Sequence, residues 1–424
     1  MPNTLLADAG NTLYLQPMQF KNVIGQAAVK QHLVDMVAQN HLSHALLFLG
    51  REGSGALPLA IAFASYISLL PSEKNAGTSL FGAAAEEAAP RLPATPDAAD
   101  AWMEKQPSFS KISDLVHPDL HFSFPVVTKK SGSPPISDDY IAEWRGFVKT
   151  YPYGNVYDWL QAIGAENKQG NITAQECNDI MRKLNLKSFE SGYKVLILWM
   201  PEYLGKEGNK LLKLIEEPPA NTLFILVAES EAGILPTILS RCQLVKVPAI
   251  EDSAVAEALI SRANAAPDNA KSLAGLAEGN YREALHLLQH ADADYYALLR
   301  DWLNATLRNN PAAQLKIIEE ISRLGRENMK QFLRYFTHLL EQAVRLKILE
   351  GSAKELFQNA MTANEQDFAA RLNKTMSVEQ QEAIATELDN AAYYIERNAN
   401  AKILFHALTI KIFYIVKNNV VIAV

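Results

Sequence analysis

An α/β domain on a parallel sheet, followed by helix alone, is the fold class that the sequence predicts. Three observations predict it. Residues 44–67 read as an apolar run, a glycine loop and a helix. Apolar runs of strand length then alternate with helical stretches as far as Ala228, the pattern of strand–helix–strand units. After Pro248 only helical spacing remains. The 424 residues leave room for two or three domains, and 48% apolar with 21% charged residues describes an ordinary globular chain.

Residues 1–18 read as a loose leader before Gln19-Phe20-Lys21-Asn22-Val23-Ile24-Gly25-Gln26. Val29, Leu33 and Val37 then recur at helical spacing. His44 to Leu49 is a short apolar run bounded by a turn, as expected of a buried parallel strand. The helix from Leu57 to Ile67 carries Pro58 in its first turn, where a missing N–H is tolerated. Residues 71–110 are rich in Ala and Pro and predict a mobile insertion. His117 to Val126 resumes as a strand, and a loop follows over 129–135. Thr173 to Leu184 is a helix with Thr173 at its N-terminus and Glu176 three residues on. Tyr193–Trp199 and Leu223–Ala228 are strands. Between them Gly208–Glu217 is a helix that Pro218-Pro219 stops. Farther on, Leu315, Ile318 and Ile321 mark one helix face, and Met329, Phe332, Leu333, Phe336, Leu339, Leu340 and Ala343 mark another.

The composition excludes several classes. A net charge of −7 argues against an overall basic grip on DNA. Two cysteines, Cys177 and Cys242, allow neither a disulfide framework nor a four-cysteine zinc site, and they fit a reducing cytoplasm. The N-terminus lacks a basic region followed by an apolar core. No apolar stretch reaches the ~18–20 residues that a membrane helix needs. The tail from Ala401 comes closest, but Lys411 and Lys417 interrupt it, so a buried terminal helix is expected.

Four places bear on chemistry. Gly50-Arg51-Glu52-Gly53-Ser54-Gly55-Ala56-Leu57 keeps the two framing glycines of a phosphate loop, G-x-x-x-x-G-K-[ST]. Ala56 replaces the lysine that reaches the phosphates, and Leu57 replaces the hydroxyl that ligates Mg²⁺. Arg51 stands at the wrong point of the loop to substitute. No productive ATP hydrolysis is expected here. The second place is the strand end Trp199-Met200, where a phosphate-loop ATPase carries acidic residues for Mg²⁺; neither side chain binds a hard cation. These two losses fall in one pocket. The third is Ser240-Arg241-Cys242, closing Pro236 to Cys242. Taken alone, Arg241 is a surface arginine at a helix end. Offered to a neighbouring subunit, its permanent charge suits phosphate oxygens and acts as an arginine finger. The fourth is Gly279-Asn280-Tyr281-Arg282, in which Arg282 is expected to face an empty pocket.

The blocks Ile24-Gly25-Gln26, Ser43 to Phe48, His117-Pro118-Asp119-Leu120, Asn209 to Pro219 and Leu235 to Cys242 occur in this order. Together they resemble the bacterial clamp loader AAA+ proteins over residues 19–290. The resemblance implies an AAA+ α/β core over 19–248, a small helical lid over 249–295 and an all-α collar over 296–424 for oligomerisation. It implies a hetero-pentamer with gamma/tau and delta subunits that loads a sliding clamp onto primer-template DNA in the cytoplasm, with no membrane. It implies that Arg241, flanked by Ser240 and Cys242, serves the ATP site of an adjacent motor subunit. The motor subunits keep the loop lysine and the acidic strand end. This chain has neither, so the resemblance points to a pseudo-ATPase subunit, not an enzyme. The family commonly carries a zinc module after the loop helix. Residues 71–116 hold no cysteine, so no zinc is expected. Two other readings are an ATPase with an atypical loop that uses Arg51 and an AAA+ adaptor outside replication.

Overall fold

The structure is a computed structural model that describes residues 18–70, 92–129, 134–165, 168–289, 295–349, 351, 363–397 and 399–418. Among these, Ala45–Leu49 (β1), Leu120–Ser123 (β2), Lys194–Trp199 (β3), Thr222–Ala228 (β4) and Gln243–Lys246 (β5) form one sheet in the order β2-β3-β4-β1-β5. Every pairing is parallel, with Ala45 opposite Phe224 and Leu46 opposite Gln243. The chain divides into two compact units, residues 1–288 and 289–424.

In the first unit both faces of the sheet are covered, as a parallel sheet requires. Alternate strand residues such as Leu46, Ile197 and Ile225 enter one core with the helix Ala56–Ser68 (α2); Leu47, Leu196 and Leu226 enter a second core. Every residue of α2 is buried, which explains why the sequence gives it no polar face. Ala27–Ala38 (α1) precedes β1, as the spacing of Leu33 and Val37 predicts.

Of the insertion expected over 71–110, residues 71–91 lie outside the described residues, as do 1–17 of the leader. Residues 92–110 are not a mobile stretch. Pro96–Met103 (α3) starts at the N-cap Thr95 and buries Ala99 and Met103, and Phe109–Ser113 (α4) follows. Asp100 of α3 accepts the backbone N–H groups of Phe20 and Lys21 at 3.0 and 2.7 Å, which ties the N-terminal turn to the insertion. Ile141–Thr150 (α5) and Val156–Ala162 (α6) follow β2. Ala174–Asn185 (α7) begins at Thr173, whose hydroxyl accepts from Glu176 N at 3.2 Å. The strand expected over 117–126 is confined to β2. The helix expected over 208–217 is a 3-10 segment, Pro201–Leu211, broken at Gly205, before the short Leu212–Glu216 (α8). The short helix Pro236–Leu239 (α9) leads into β5, an edge strand too polar to announce itself.

Asp252–Ala263 (α10), Pro267–Ala277 (α11) and Tyr281–Gln289 (α12) share a core with Ile24 and Tyr153, and belong to the first unit. The second unit is helical throughout its described residues. It contains Tyr295–Leu307 (α13), Pro311–Ser322 (α14), Arg326–Ile348 (α15), Ala363–Thr375 (α16), Val378–Glu396 (α17) and Ala401–Asn418 (α18). The stripe from Met329 to Ala343 is buried around Trp302, whose indole N–H donates to Thr409 Oγ1 at 2.9 Å. Ile318 and Ile321 are buried as predicted, but Leu315 is exposed and does not share their face.

Candidate functional site

The glycine loop sits at the C-terminal ends of β1, β3 and β4, beside the point where the sheet order reverses between β1 and its neighbours. Open α/β sheets bind ligands there. The loop has the shape that its glycines suggest. Gly53 and Gly55 have φ of +69° and +88°, a region that side chains disfavour. Gly50 N donates to Ala228 O at 3.1 Å. The carboxamide of Gln26 donates to Ser54 O at 3.0 Å and to Pro248 O at 2.7 Å, so the Ile-Gly-Gln block braces the loop from outside.

The two positions that serve phosphate and Mg²⁺ in such a loop carry apolar side chains here. Ala56 and Leu57 are buried in the core under the sheet. Pro58 is the third residue of α2, so one of the free N–H donors that bind anions at a helix N-terminus is missing. Arg51 is exposed. At the end of β3, Trp199 packs on Trp144 with ring centroids 5.1 Å apart, and Met200, at φ +59°, is buried beside it. An apolar cluster therefore stands where an acidic pair would hold a cation. Tyr153 fills more of the space. Its hydroxyl accepts Ile24 N at 2.8 Å, its ring meets Tyr281 edge-on at 5.0 Å, and a Cβ on Gly55 would lie 3.0 Å from it. Gly50, Gly55, Tyr153, Trp199 and Glu229 line a small, partly open cavity beside the loop.

Buried carboxyl groups gather beside the loop. Glu229 follows β4 and lines the cavity. Burial, then the charges of Glu52 and Glu202, push its carboxyl up to about 8. Burial likewise raises Glu202, which accepts the N–H groups of Glu229 and Ser230 at 2.7 and 2.9 Å.

Arg282 does not face an empty pocket. Its side chain is 1% exposed. Nε and Nη2 donate to the two oxygens of Asp158 at 2.5 and 2.8 Å, and Nη1 donates to Glu52 Oε1 at 3.1 Å. Asn280 Nδ2 and Asn155 Nδ2 also donate to the Glu52 carboxylate, at 3.3 and 3.0 Å. Asp158 closes a capping box with Asn155 at the start of α6. Tyr153, Asp158 and Glu229 stand in no motif of the sequence, and Glu52 occupies an unassigned position of the loop. The Asn-x-x-Asp start of α6 is a local signal that does not reveal a partner 124 residues away.

Arg241 lies at the other end of the sheet. It precedes β5 by two residues, and Gln243 of β5 pairs with Leu46 near the start of β1. The glycine loop follows the end of β1. At about 3.3 Å per residue, ~15–20 Å separates Arg241 from its own loop. Its Nε and Nη2 meet Glu216 Oε1, and Nη1 donates to Thr237 O at 2.7 Å and Ser240 Oγ at 3.2 Å. The Glu-Glu-Pro-Pro and Ser-Arg-Cys blocks therefore meet through one ion pair. Cys242 is half-buried, and burial pushes its thiol up to about 11. The His117-Pro118-Asp119-Leu120 block is structural: Asp119 accepts the N–H groups of Phe189, Glu190 and Ser191 at 2.6, 2.8 and 2.8 Å, fixing the loop before β3. Among the described residues no group of His, Cys, Asp and Glu could hold a metal ion. None of their helices is long and apolar enough to cross a membrane.

Residues 83–251 match the family model described as DNA polymerase III, delta subunit. DNA polymerase III subunit delta' of Bacillus subtilis is 24% identical over 262 residues, covering 62% of this chain and 59% of that protein. DNA polymerase III subunit tau of the same organism is 24% identical over 337 residues, covering 77% of this chain and 47% of its own. The chain thus spans about half the length of these curated relatives. Among solved structures, a DNA polymerase III gamma subunit-related protein of Thermotoga maritima aligns over 90% of this chain and 97% of its own, at 14% identity and a TM-score of 0.35.

Proposed function

We propose that this member of the clamp-loader family of DNA polymerase III subunits acts as a non-catalytic, delta-prime-type subunit. Its own ATP site is closed, and Arg241 acts as an arginine finger on the ATP site of a neighbouring motor subunit. It would work in a hetero-pentamer with gamma/tau and delta subunits, in the cytoplasm, placing a sliding clamp on primer-template DNA during replication. The α10–α12 helices would serve as the lid, and residues 296–424 as the collar through which the subunits assemble. No zinc and no productive ATP are part of this reading.

The observation that carries it is the separation of the two ends of the sheet. The residues that remain suited to phosphate chemistry are not where this chain's own pocket is. A guanidinium ~15–20 Å from its own glycine loop has no use in cis, whereas a neighbour docked at that end brings a phosphate to it. The present partners of Arg241 do not bar this. Exposed ion pairs contribute only about 0–1 kcal/mol, and the Glu216 pair is partly exposed, so a triphosphate readily replaces the carboxylate.

The test is reconstitution with the motor and delta subunits. Arg241→Ala should leave assembly intact and lower DNA-stimulated ATPase and clamp loading several-fold. Undiminished ATPase would remove the finger role. Saturable ATP binding to the isolated chain would point to an ATPase with an atypical loop. Failure to co-purify with the motor and delta subunits would point to an adaptor outside replication.

A further inference from the structure

We propose that the Glu52–Asp158–Arg282 cluster is a latch that holds the lid helices against the glycine loop without any ligand. In effect the chain supplies its own anion. The inference is independent of what Arg241 does.

Arg282 stands at the start of α12 and is permanently charged. At 1% exposure it needs counter-charges close by. A fork of N–H groups fits a carboxylate or a phosphate equally well. Here the fork is filled by Asp158, on α6, and the remaining nitrogen by Glu52, within the glycine loop. One side chain of the lid thus grips two separate pieces of the α/β core.

The surrounding contacts reinforce the grip. Tyr281 N donates to Gly53 O at 3.2 Å. Asn280 presses so closely on the loop that a Cβ on Gly53 would lie 1.8 Å from its Oδ1. The same Oδ1 accepts Glu283 N at 3.0 Å and so starts α12. Three consecutive residues, Asn280, Tyr281 and Arg282, therefore contact the loop by three kinds of bond. Each contact would have to break if the lid swung away. Phosphate bound at the loop would compete with Glu52 and Asp158 for Arg282 and would be repelled by both carboxylates. A lid so held does not open and close with ATP.

Hydrogen exchange on the full chain, read by mass spectrometry, tests this. In the unaltered protein, peptides over 281–289 should exchange slowly, and 1 mM ATP with Mg²⁺ should not change them. Glu52→Gln and Asp158→Asn should each speed exchange over 281–289 about tenfold or more, leaving peptides over 194–199 and 222–228 unchanged. If both variants keep the original lid protection, apolar packing holds the lid and the latch is wrong. If ATP slows lid exchange in the unaltered protein, the lid answers to nucleotide and the latch is equally wrong. Should Asp158→Asn loosen the strands as well, Glu52→Gln decides, because Glu52 is the more exposed partner and its loss leaves the Asp158 fork in place. None of these readouts depends on assembly with other subunits.

Discussion

Gly53 and Glu229 show how far a single residue's role can drift from its pattern. In a phosphate loop Gly53 would be read as making room for a ligand. Here it makes room for Asn280, and its φ of +69° suits no other residue well. Gly53→Ala should lower stability by ~1–3 kcal/mol, from backbone strain and the collision with Asn280 Oδ1. Asn280→Ala should relieve part of that loss, although it also removes the cap of α12. A double-mutant cycle by urea unfolding should therefore show positive coupling between the two sites. Glu229 makes the pH prediction. Its folded carboxyl is raised from the ordinary 4.5 to about 8, so the folded chain holds a proton that the unfolded chain releases. Stability then falls as pH rises across that window. Glu229→Gln should flatten the fall. Its melting temperature should exceed that of the unaltered chain by a few degrees at pH 8 and by less at pH 5, because ~1 kcal/mol moves a domain of 150–250 residues by about 2–4 °C. Equal gains at both pH values would show that Glu229 does not titrate there.

At the scale of elements, local signals were read well and distant pairings poorly. The strand, glycine loop and α2 were legible because apolar run, turn and helix are written within about twenty-five consecutive residues. Thr173 was legible as a helix start because an N-cap acts on the residue three positions on. The same rules gave no access to α3, whose Ala-rich segment merged with a stretch that looked like a linker. They gave no access to β5 either, an edge strand with one buried residue. The surroundings of the loop were half legible. The apolar character of Ala56, Leu57, Trp199 and Met200 is plain in the sequence, but Tyr153 and Asp158 reach the loop from about a hundred residues on, where no periodicity points. Asp119 gives this scale its prediction. Asp119→Asn keeps the size of the side chain but weakens its hold on the N–H groups of Phe189, Glu190 and Ser191. It should cost ~1–3 kcal/mol and speed exchange of peptides over 186–192, while α1 and β1 keep their protection.

The whole molecule has a direction, set by the parallel pairing of β1 with β5. One end of the sheet carries the glycine loop with its small cavity; the other carries Arg241. In a head-to-tail assembly each subunit has a giving face and a receiving face, and identical two-faced subunits either close a ring or run on without limit. On the proposed function this chain gives and does not receive. Placed in such a row it is a terminus, so the number of working ATP sites falls short of the number of subunits by one for each copy present. Its two dissimilar ends then make it a counting device. By ending the row, one copy fixes which motor subunit is last and where the ring is left with a seam.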